Sequence, residues 1–300
     1  NKNKIDKLAS GEKEMVLSSG WAGSQLLNSD DYRAYVGGTT GLIYGFVNDG
    51  FYTVDDFKPF DSKSRTWTLK DGVVNSSPLS GDPRPGNAKF KKLTPVDENS
   101  ANPYTLTDDD RTVIGNTTPK FSGGFGLNAT FKGFDVSAFF NFMYDFDVFN
   151  ANKVMMTTWA SNNYNNFSMD ISAAKRWRNF DDMGNEIRYS PEILAEFNKN
   201  ATMWNPTSIG RPIAMSYAVE DGSFLRLNTA TIGYTLPRAW TNKVGLSRVR
   251  FYASGYNLFT ITGYSGYDPE VDIATGLTPN IDNNRYPRSR TYTFGVQLTF

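Results

Sequence analysis

The sequence predicts an all-β protein, namely the C-terminal part of a large antiparallel transmembrane β-barrel with long loops. Two observations predict this fold: five segments alternate between apolar and polar residues, and the connections between these segments are alternately long and short. The apolar members of the last segment are Tyr292, Phe294, Val296, Leu298 and Phe300. Alternation without a break is typical of a strand that has one apolar and one polar face.

The other four strands are predicted in two pairs. The first pair is a hairpin with arms at 121–131 and 134–144, joined by the turn former Lys132-Gly133. Its second arm is apolar at six alternate positions, which are Phe134, Val136, Ala138, Phe140, Phe142 and Tyr144. The second pair is predicted at 223–235 and 248–258, where the apolar positions shift phase near Asn228. Such a shift predicts a β-bulge.

The lengths of the connections favour a membrane barrel. Long connections at 9–120, 145–222 and 259–291 alternate with two short links, at 132–133 and 236–247. Outer-membrane barrels have long loops at one end and short turns at the other, and tilted strands of about 9–11 residues match their apolar band. Five strands cannot close a wide barrel, so the chain is predicted to be part of a larger one, with the end of an earlier strand at 1–8.

Composition excludes several classes of function. Lys and Arg number 31, as do Asp and Glu, so no net field would attract nucleic acid. Cysteine and histidine are absent, which excludes disulfides, thiol nucleophiles, Ser-His-Asp catalysis and the usual zinc sites. Aromatic residues make up 15% of the chain, which suits both glycan-binding surfaces and the aromatic girdles of barrels. We expect no transmembrane helix, because no run of apolar residues is long enough.

Several segments carry a family resemblance in the same order along the chain. They are 42–51 (LIYGFVNDGF), 110–121 (DRTVIGNTTPKF), the pair Arg176-Trp177, 264–270 (YSGYDPE), Tyr286-Pro287 and 290–300 (RTYTFGVQLTF). With these segments the chain resembles the C-terminal barrel region of SusC/RagA-type TonB-dependent transporters of Bacteroidetes outer membranes. The family often has an acidic D-x-N-x-D-G-like stretch before the second segment. Residues 96–104 lack its second Asp and its Gly, so we expect no metal there.

The resemblance implies import across the cell outer membrane, and no enzymatic activity. It implies a multi-pass barrel of 22 strands with a plug, whose TonB-contacting region would lie upstream of Asn1. The implied partners are TonB, outer-membrane lipid and a SusD-like lipoprotein that acts as a lid, with dimers of such pairs. The three long connections would be extracellular loops. The implied cargo is an oligosaccharide, with an oligopeptide as the alternative, and no cofactor or metal is expected.

Loop aromatic residues are the candidate substrate contacts, because flat rings stack on sugar faces. These candidates are Trp67, Trp159, Tyr164, Trp177 and Trp204. The alternative is that these rings pack the loops together or touch the lid. Four polar residues on strands could line the import path or belong to an ordinary wet barrel wall, and they are Asn128, Asn141, Arg226 and Tyr252.

Two acidic clusters have a catalytic and a structural interpretation. For 108–110 we expect an exposed turn rather than a metal or acid–base site. Asp268 and Glu270 have the spacing of paired carboxylates, as in glycosidases, but a loop-folding role is favoured. The alternative from another class is a secreted all-β glycan-binding protein or glycosidase, whose apolar strand faces would pack in a core.

Overall fold

The computed structural model of the chain describes residues 2–9, 11–28, 30–158, 166–271 and 276–300. The strands are β1 Glu14–Leu17, β2 Tyr32–Tyr35, β3 Leu42–Gly45, β4 Asn48–Phe51, β5 Ala88–Phe90, β6 Thr112–Asn116, β7 Phe121–Phe131, β8 Phe134–Tyr144, β9 Asp147–Asn150, β10 Val219–Asp221, β11 Phe224–Thr235, β12 Arg248–Thr262, β13 Ile281–Asp282 and β14 Thr291–Thr299. The α-helices are α1 Ser77–Ser80, α2 Ala151–Met155, α3 Pro191–Phe197 and α4 Arg238–Thr241. None of the helices in these residues is long and apolar enough to cross a membrane.

The five long strands form one antiparallel sheet in the order β14-β12-β11-β8-β7. Lys132 and Gly133 connect β7 to β8 with φ of 47° and 90°, the left-handed values that a two-residue hairpin turn requires. The register of β11 shifts between Leu227 and Thr229 against both neighbours, which confirms the predicted bulge. Strand β12 runs to Thr262, because residues 259–262 pair with the first four residues of β11.

The two faces of this sheet differ in chemistry. Directly paired residues share a face, and on one face they are apolar pairs such as Phe251 with Val296 and Ala253 with Phe294. On the other face Arg250 donates to Asp135 at 2.8 Å. The apolar face is exposed along its length, with Phe294 80% exposed. A soluble sheet buries its apolar face, so this arrangement is the one expected for strands that face lipid.

The three long connections fold together into one body, which we call the loop cap. It comprises the described residues of 9–120, 145–222 and 259–291 that lie outside the five long strands. Its largest apolar core contains buried side chains from all three connections, among them Phe46, Met215 and Ile281. Strand β13 pairs in parallel with β9, which joins the third connection to the second. The loops are therefore a packed structure with its own core.

Residues 2–8 pair with none of the described strands, and the strand end predicted at 1–8 stays a prediction. The Ile5 amide donates to the Gly38 carbonyl, and the Gly37 amide donates to the Ile5 carbonyl, each at 2.8 Å. The backbone of this segment is thus bonded to a turn of the loop cap.

The prediction of an exposed turn at 108–110 is wrong for Asp110, whose side chain is fully buried. Its carboxylate accepts hydrogen bonds from the amides of Leu93, Thr94 and Thr107 at 2.8–2.9 Å, and from Lys92 Nζ at 3.3 Å. Burial acts to raise the pKa of Asp110, but these hydrogen bonds outweigh it and lower the pKa to about 2. Asp110 therefore holds segment 92–94 against segment 107–110.

A second buried ionic cluster joins the sheet to the loop cap. Arg226 of β11 is 2% exposed, and its guanidinium donates to the Asp268 carboxylate and lies 3.6 Å from Glu270. Arg288 pairs with Glu270 at 2.8 Å. Burial acts to raise the pKa of Asp268, but its bonds from Arg226 and from backbone amides lower it. The loop-folding role of Asp268 and Glu270 is confirmed, and Arg226 is a buried anchor rather than a residue of an open wall.

Candidate functional site

The described aromatic candidates lie in two kinds of environment. Trp177 and Trp204 are buried, at 3% and 2% exposure, whereas Trp67 is half-buried and lines a cleft on the loop cap. Trp159 and Tyr164 lie outside the described residues. Contact between these rings and a substrate stays a prediction. Of the three described rings, Trp67 has the position that best fits such a contact, because it lines an open cleft.

The two buried rings make the contacts of core residues. Trp204 Nε1 donates to the Thr157 carbonyl at 3.3 Å, and its ring meets Tyr217 edge-on at 4.7 Å between centroids. Trp177 meets Phe51 edge-on at 5.7 Å in a separate core of the loop cap. These contacts favour the alternative in which the rings pack the loops together.

Gly86 provides the space for the Trp177 ring. A Cβ atom at Gly86 would lie 2.1 Å from Trp177 Cδ1, and the φ of Gly86 is +89°. We expect Gly86→Ala to lower the free energy of unfolding of the loop cap by about 2–4 kcal/mol, from backbone strain and overpacking together. The matched control is Gly72→Ala, which has φ of +83° but open space, and its expected cost is about 1 kcal/mol. Equal costs in urea unfolding would contradict this account.

The cleft that contains Trp67 has a volume of about 470 Å³. A second cleft of about 410 Å³ adjoins it and shares Asn179, Arg188 and Thr207 with it. We call the two clefts together the arginine groove. Both volumes fall within the usual range of ligand sites.

The charge of the arginine groove is strongly positive in a chain with no net charge. Its lining arginines are Arg65, Arg84, Arg176, Arg178 and Arg188. Among the described residues that line it, Asp82 is the one carboxylate. Within the described chain Arg178 pairs with Asp182 and Arg188 pairs with Glu186, whereas the other three arginines have no carboxylate partner. The groove thus has an excess of positive charge that carboxylates among the described residues do not neutralise.

Aromatic rings form one wall of the arginine groove. Phe60 packs on Trp67 with centroids 4.7 Å apart and stacks on Tyr189 at 6.1 Å. The guanidinium carbons of Arg65 and Arg188 lie 5.3 Å and 5.7 Å from the Tyr189 centroid. Rings with a polar rim can bind a sugar face and its hydroxyls at the same time.

A third cleft, of about 690 Å³, lies between the second and third connections of the loop cap. The strongly exposed rings of Tyr267 and Tyr286 line it, together with Lys153. Lys153 pairs with Glu220 at 3.4 Å. Burial acts to raise the pKa of Glu220, but hydrogen bonds from Ser265 and the charge of Lys153 lower it. The lining of this cleft has two basic residues, Lys153 and Arg285, and two acidic residues, Asp170 and Asp282, so it lacks the excess of positive charge found in the arginine groove.

Sequence reasoning did not find the arginine groove. Its arginines come from two connections and are up to 123 positions apart, between 65 and 188. Lys175, Arg176 and Arg178 lie close together in the sequence, but only the folding of the two connections against each other brings Arg65 and Arg84 beside them. Of the residues that line the groove, Trp67 is the one that the sequence predicted as a substrate contact.

Comparisons with known proteins agree with this architecture, although no family model matches the chain. TonB-dependent receptor P3 of Formosa agariphila is 30% identical, over all of this chain and 26% of that protein. TonB-dependent receptor SusC of Bacteroides thetaiotaomicron is 32% identical over 50% of this chain and 15% of its own length. The solved structure of the RagAB peptide importer in its closed-closed state superposes with a TM-score of 0.62, at 22% identity, over 99% of this chain and 26% of that one.

These matches define the kind of protein. The chain has the fold of part of a TonB-dependent receptor barrel, and its relatives are receptors rather than enzymes. More narrowly, the chain is SusC/RagA-like, as the segment resemblance predicted. It spans about a quarter of the length of receptor P3. The predicted all-β barrel fold is confirmed, while the number of 22 strands and the division into extracellular loops stay predictions.

Proposed function

We propose that the whole protein imports oligosaccharides across the outer membrane, powered through TonB and covered by a SusD-like lipoprotein. The observation that carries the proposal is the exposed apolar face of the five-stranded sheet, together with its similarity to TonB-dependent receptors. In this arrangement the strands contact outer-membrane lipid and the loop cap is extracellular. The lipoprotein would lie over the loop cap, and such pairs would form dimers.

The arginine groove supports a saccharide cargo. Trp67 and Tyr189 offer ring faces, while Asn87 and Asn179 offer amide groups at the same cleft. Sugars present apolar faces and hydroxyls close together, which is the pattern that such a cleft complements. An oligopeptide is the second candidate, because the RagAB importer with the similar fold takes peptides.

Uptake by whole cells tests the proposal. A strain that lacks the gene should lose growth on the oligosaccharide cargo but keep growth on the corresponding monosaccharides, since small sugars do not need an energised importer. The full-length protein should require detergent for extraction and should copurify with a SusD-like lipoprotein. Extraction into the aqueous phase without detergent would contradict the transporter assignment, and loss of growth on oligopeptides alone would support the peptide alternative.

Trp67 should contribute to cargo affinity. Trp67→Ala in the full-length complex should raise the Kd for the cargo about fivefold, because a stacked ring contributes about 1 kcal/mol. The matched control is Trp240→Ala, which removes an exposed tryptophan from the short link 236–247. Calorimetric titration measures the Kd of both variants. Equal Kd values for the two variants would show that Trp67 does not contact the cargo.

A further inference from the structure

We propose that the arginine groove binds an oligosaccharide that carries negative charges, as carboxylates or sulfate esters, on more than one sugar unit. This inference rests on the proposed import of saccharides and names the chemical class of the cargo. The charge of the groove, the positions of its arginines and the continuity of its two clefts support it.

The charge of the groove indicates an anion. Arg65, Arg84 and Arg176 line it without a carboxylate partner in the described chain. A guanidinium group is always charged and presents a planar set of donors that fits a carboxylate or a tetrahedral oxyanion with two parallel hydrogen bonds. Neutral hydroxyls need only single donors, which asparagine or serine would supply. Three uncompensated arginines therefore favour an anionic ligand over a neutral one.

The environment of Tyr189 indicates where one anionic group would bind. The Arg65 and Arg188 guanidinium groups both lie against the Tyr189 ring. Both arginines line the same cleft, and Glu186 pairs with Arg188 but not with Arg65. An anion bound at this cleft beside Tyr189 would be attracted by both guanidinium groups. The neighbouring Trp67 ring would then face the sugar that carries this anion.

The continuity of the two clefts indicates more than one charged unit. Arg65 and Arg84 line the first cleft, Arg176 and Arg178 line the second, and Arg188 lies where they meet. A chain that occupied both clefts would have an arginine near it at each end. A single charged sugar would leave the arginines of one cleft without an anion.

The test measures binding to the detergent-purified full-length receptor with its lipoprotein partner by calorimetry. The probes are tetrasaccharides that bear uronates or sulfate esters, each beside its methyl-esterified or desulfated counterpart, with tetraglutamate as the peptide probe. The variant is Arg65→Gln with Arg84→Gln, two exposed positions. The matched control is Lys13→Gln with Lys70→Gln, which removes the same charge at exposed positions of the same connection outside the groove.

At least one acidic tetrasaccharide should bind, and its neutral counterpart should bind at least tenfold more weakly. The double arginine variant should weaken acidic binding by at least tenfold, which corresponds to about 1.4 kcal/mol, and the lysine variant should leave it unchanged. Raising the salt from about 0.1 M to about 1 M should weaken the acidic probe selectively.

Three other results would overturn the inference. If neutral probes bind as tightly as acidic ones, the groove does not select charge, while the import of saccharides still stands. If tetraglutamate alone binds and is lost in the arginine variant, the anion belongs to a peptide. If no probe of any class binds, both the inference and the proposed saccharide function fail.

Discussion

Asp110→Ala is expected to lower the free energy of unfolding of the loop cap by about 3–5 kcal/mol. The variant leaves Lys92, whose side chain is 9% exposed, without its counterion. It also leaves the amides of Leu93, Thr94 and Thr107 without their acceptor. Urea unfolding of the full-length protein in detergent, followed by tryptophan fluorescence, measures the change. The control is Asp109→Ala at the exposed neighbouring position, with an expected change of about 0.5 kcal/mol or less.

The same carboxylate predicts a dependence on pH. The pKa of Asp110 is about 2 in the folded chain, below its ordinary value of 3.8. A depressed pKa stabilises the fold above the unfolded value, and this contribution, about 2 kcal/mol, is lost as the pH falls from about 4 to about 2. Asp110→Asn should therefore lose stability at neutral pH and should flatten this part of the acid titration. An unchanged acid titration would contradict the role of Asp110.

Arg226→Met is expected to separate the third connection from the sheet and to cost about 3–5 kcal/mol, because it leaves Asp268 and Glu270 buried without their strongest counterion. The control is Arg288→Met, which removes the partner of Glu270 that is 47% exposed and should cost about 1 kcal/mol or less. Limited proteolysis within 263–290 reports the loosened segment, and thermal unfolding reports the stability.

The double variant Arg226→Met with Asp268→Leu sharpens this test. Replacing both members of a buried ion pair by apolar residues removes the unpaired charge, so part of the lost stability should return. If Arg226→Met and Arg288→Met cost the same, or if the double variant is less stable than Arg226→Met, the buried anchor is not the main link between sheet and loop cap.

The strands could be predicted closely because their signal is local. The hairpin predicted at 121–131 and 134–144 has the same bounds as β7 and β8, and the phase shift at Asn228 marks the bulge. Each of these predictions depends on residues that are one or two positions apart. The loop cap has no such alternation, and its short strands β9 and β13 pair residues that are 132 positions apart.

Residue type alone did not separate structural from exposed side chains. Trp177 and Trp67 are both tryptophans in long loops. The Trp177 ring packs in a core against Gly86, whereas the Trp67 ring lines a cleft. Asp109 and Asp110 are adjacent, yet only Asp110 lies beside the amides of 93–94. In both pairs a distant segment decides the environment.

The sequence by itself determined that this protein is all-β, which side chains share the apolar face of its long strands, and which family it resembles. These properties follow from alternation and from short motifs, which neighbouring residues specify. Only the tertiary structure decided that the long loops share a core, that Asp110 and Arg226 are buried anchors, and that five arginines line one groove. The physical reason is that charge and burial depend on which segments meet in space, and these segments lie far apart along the chain.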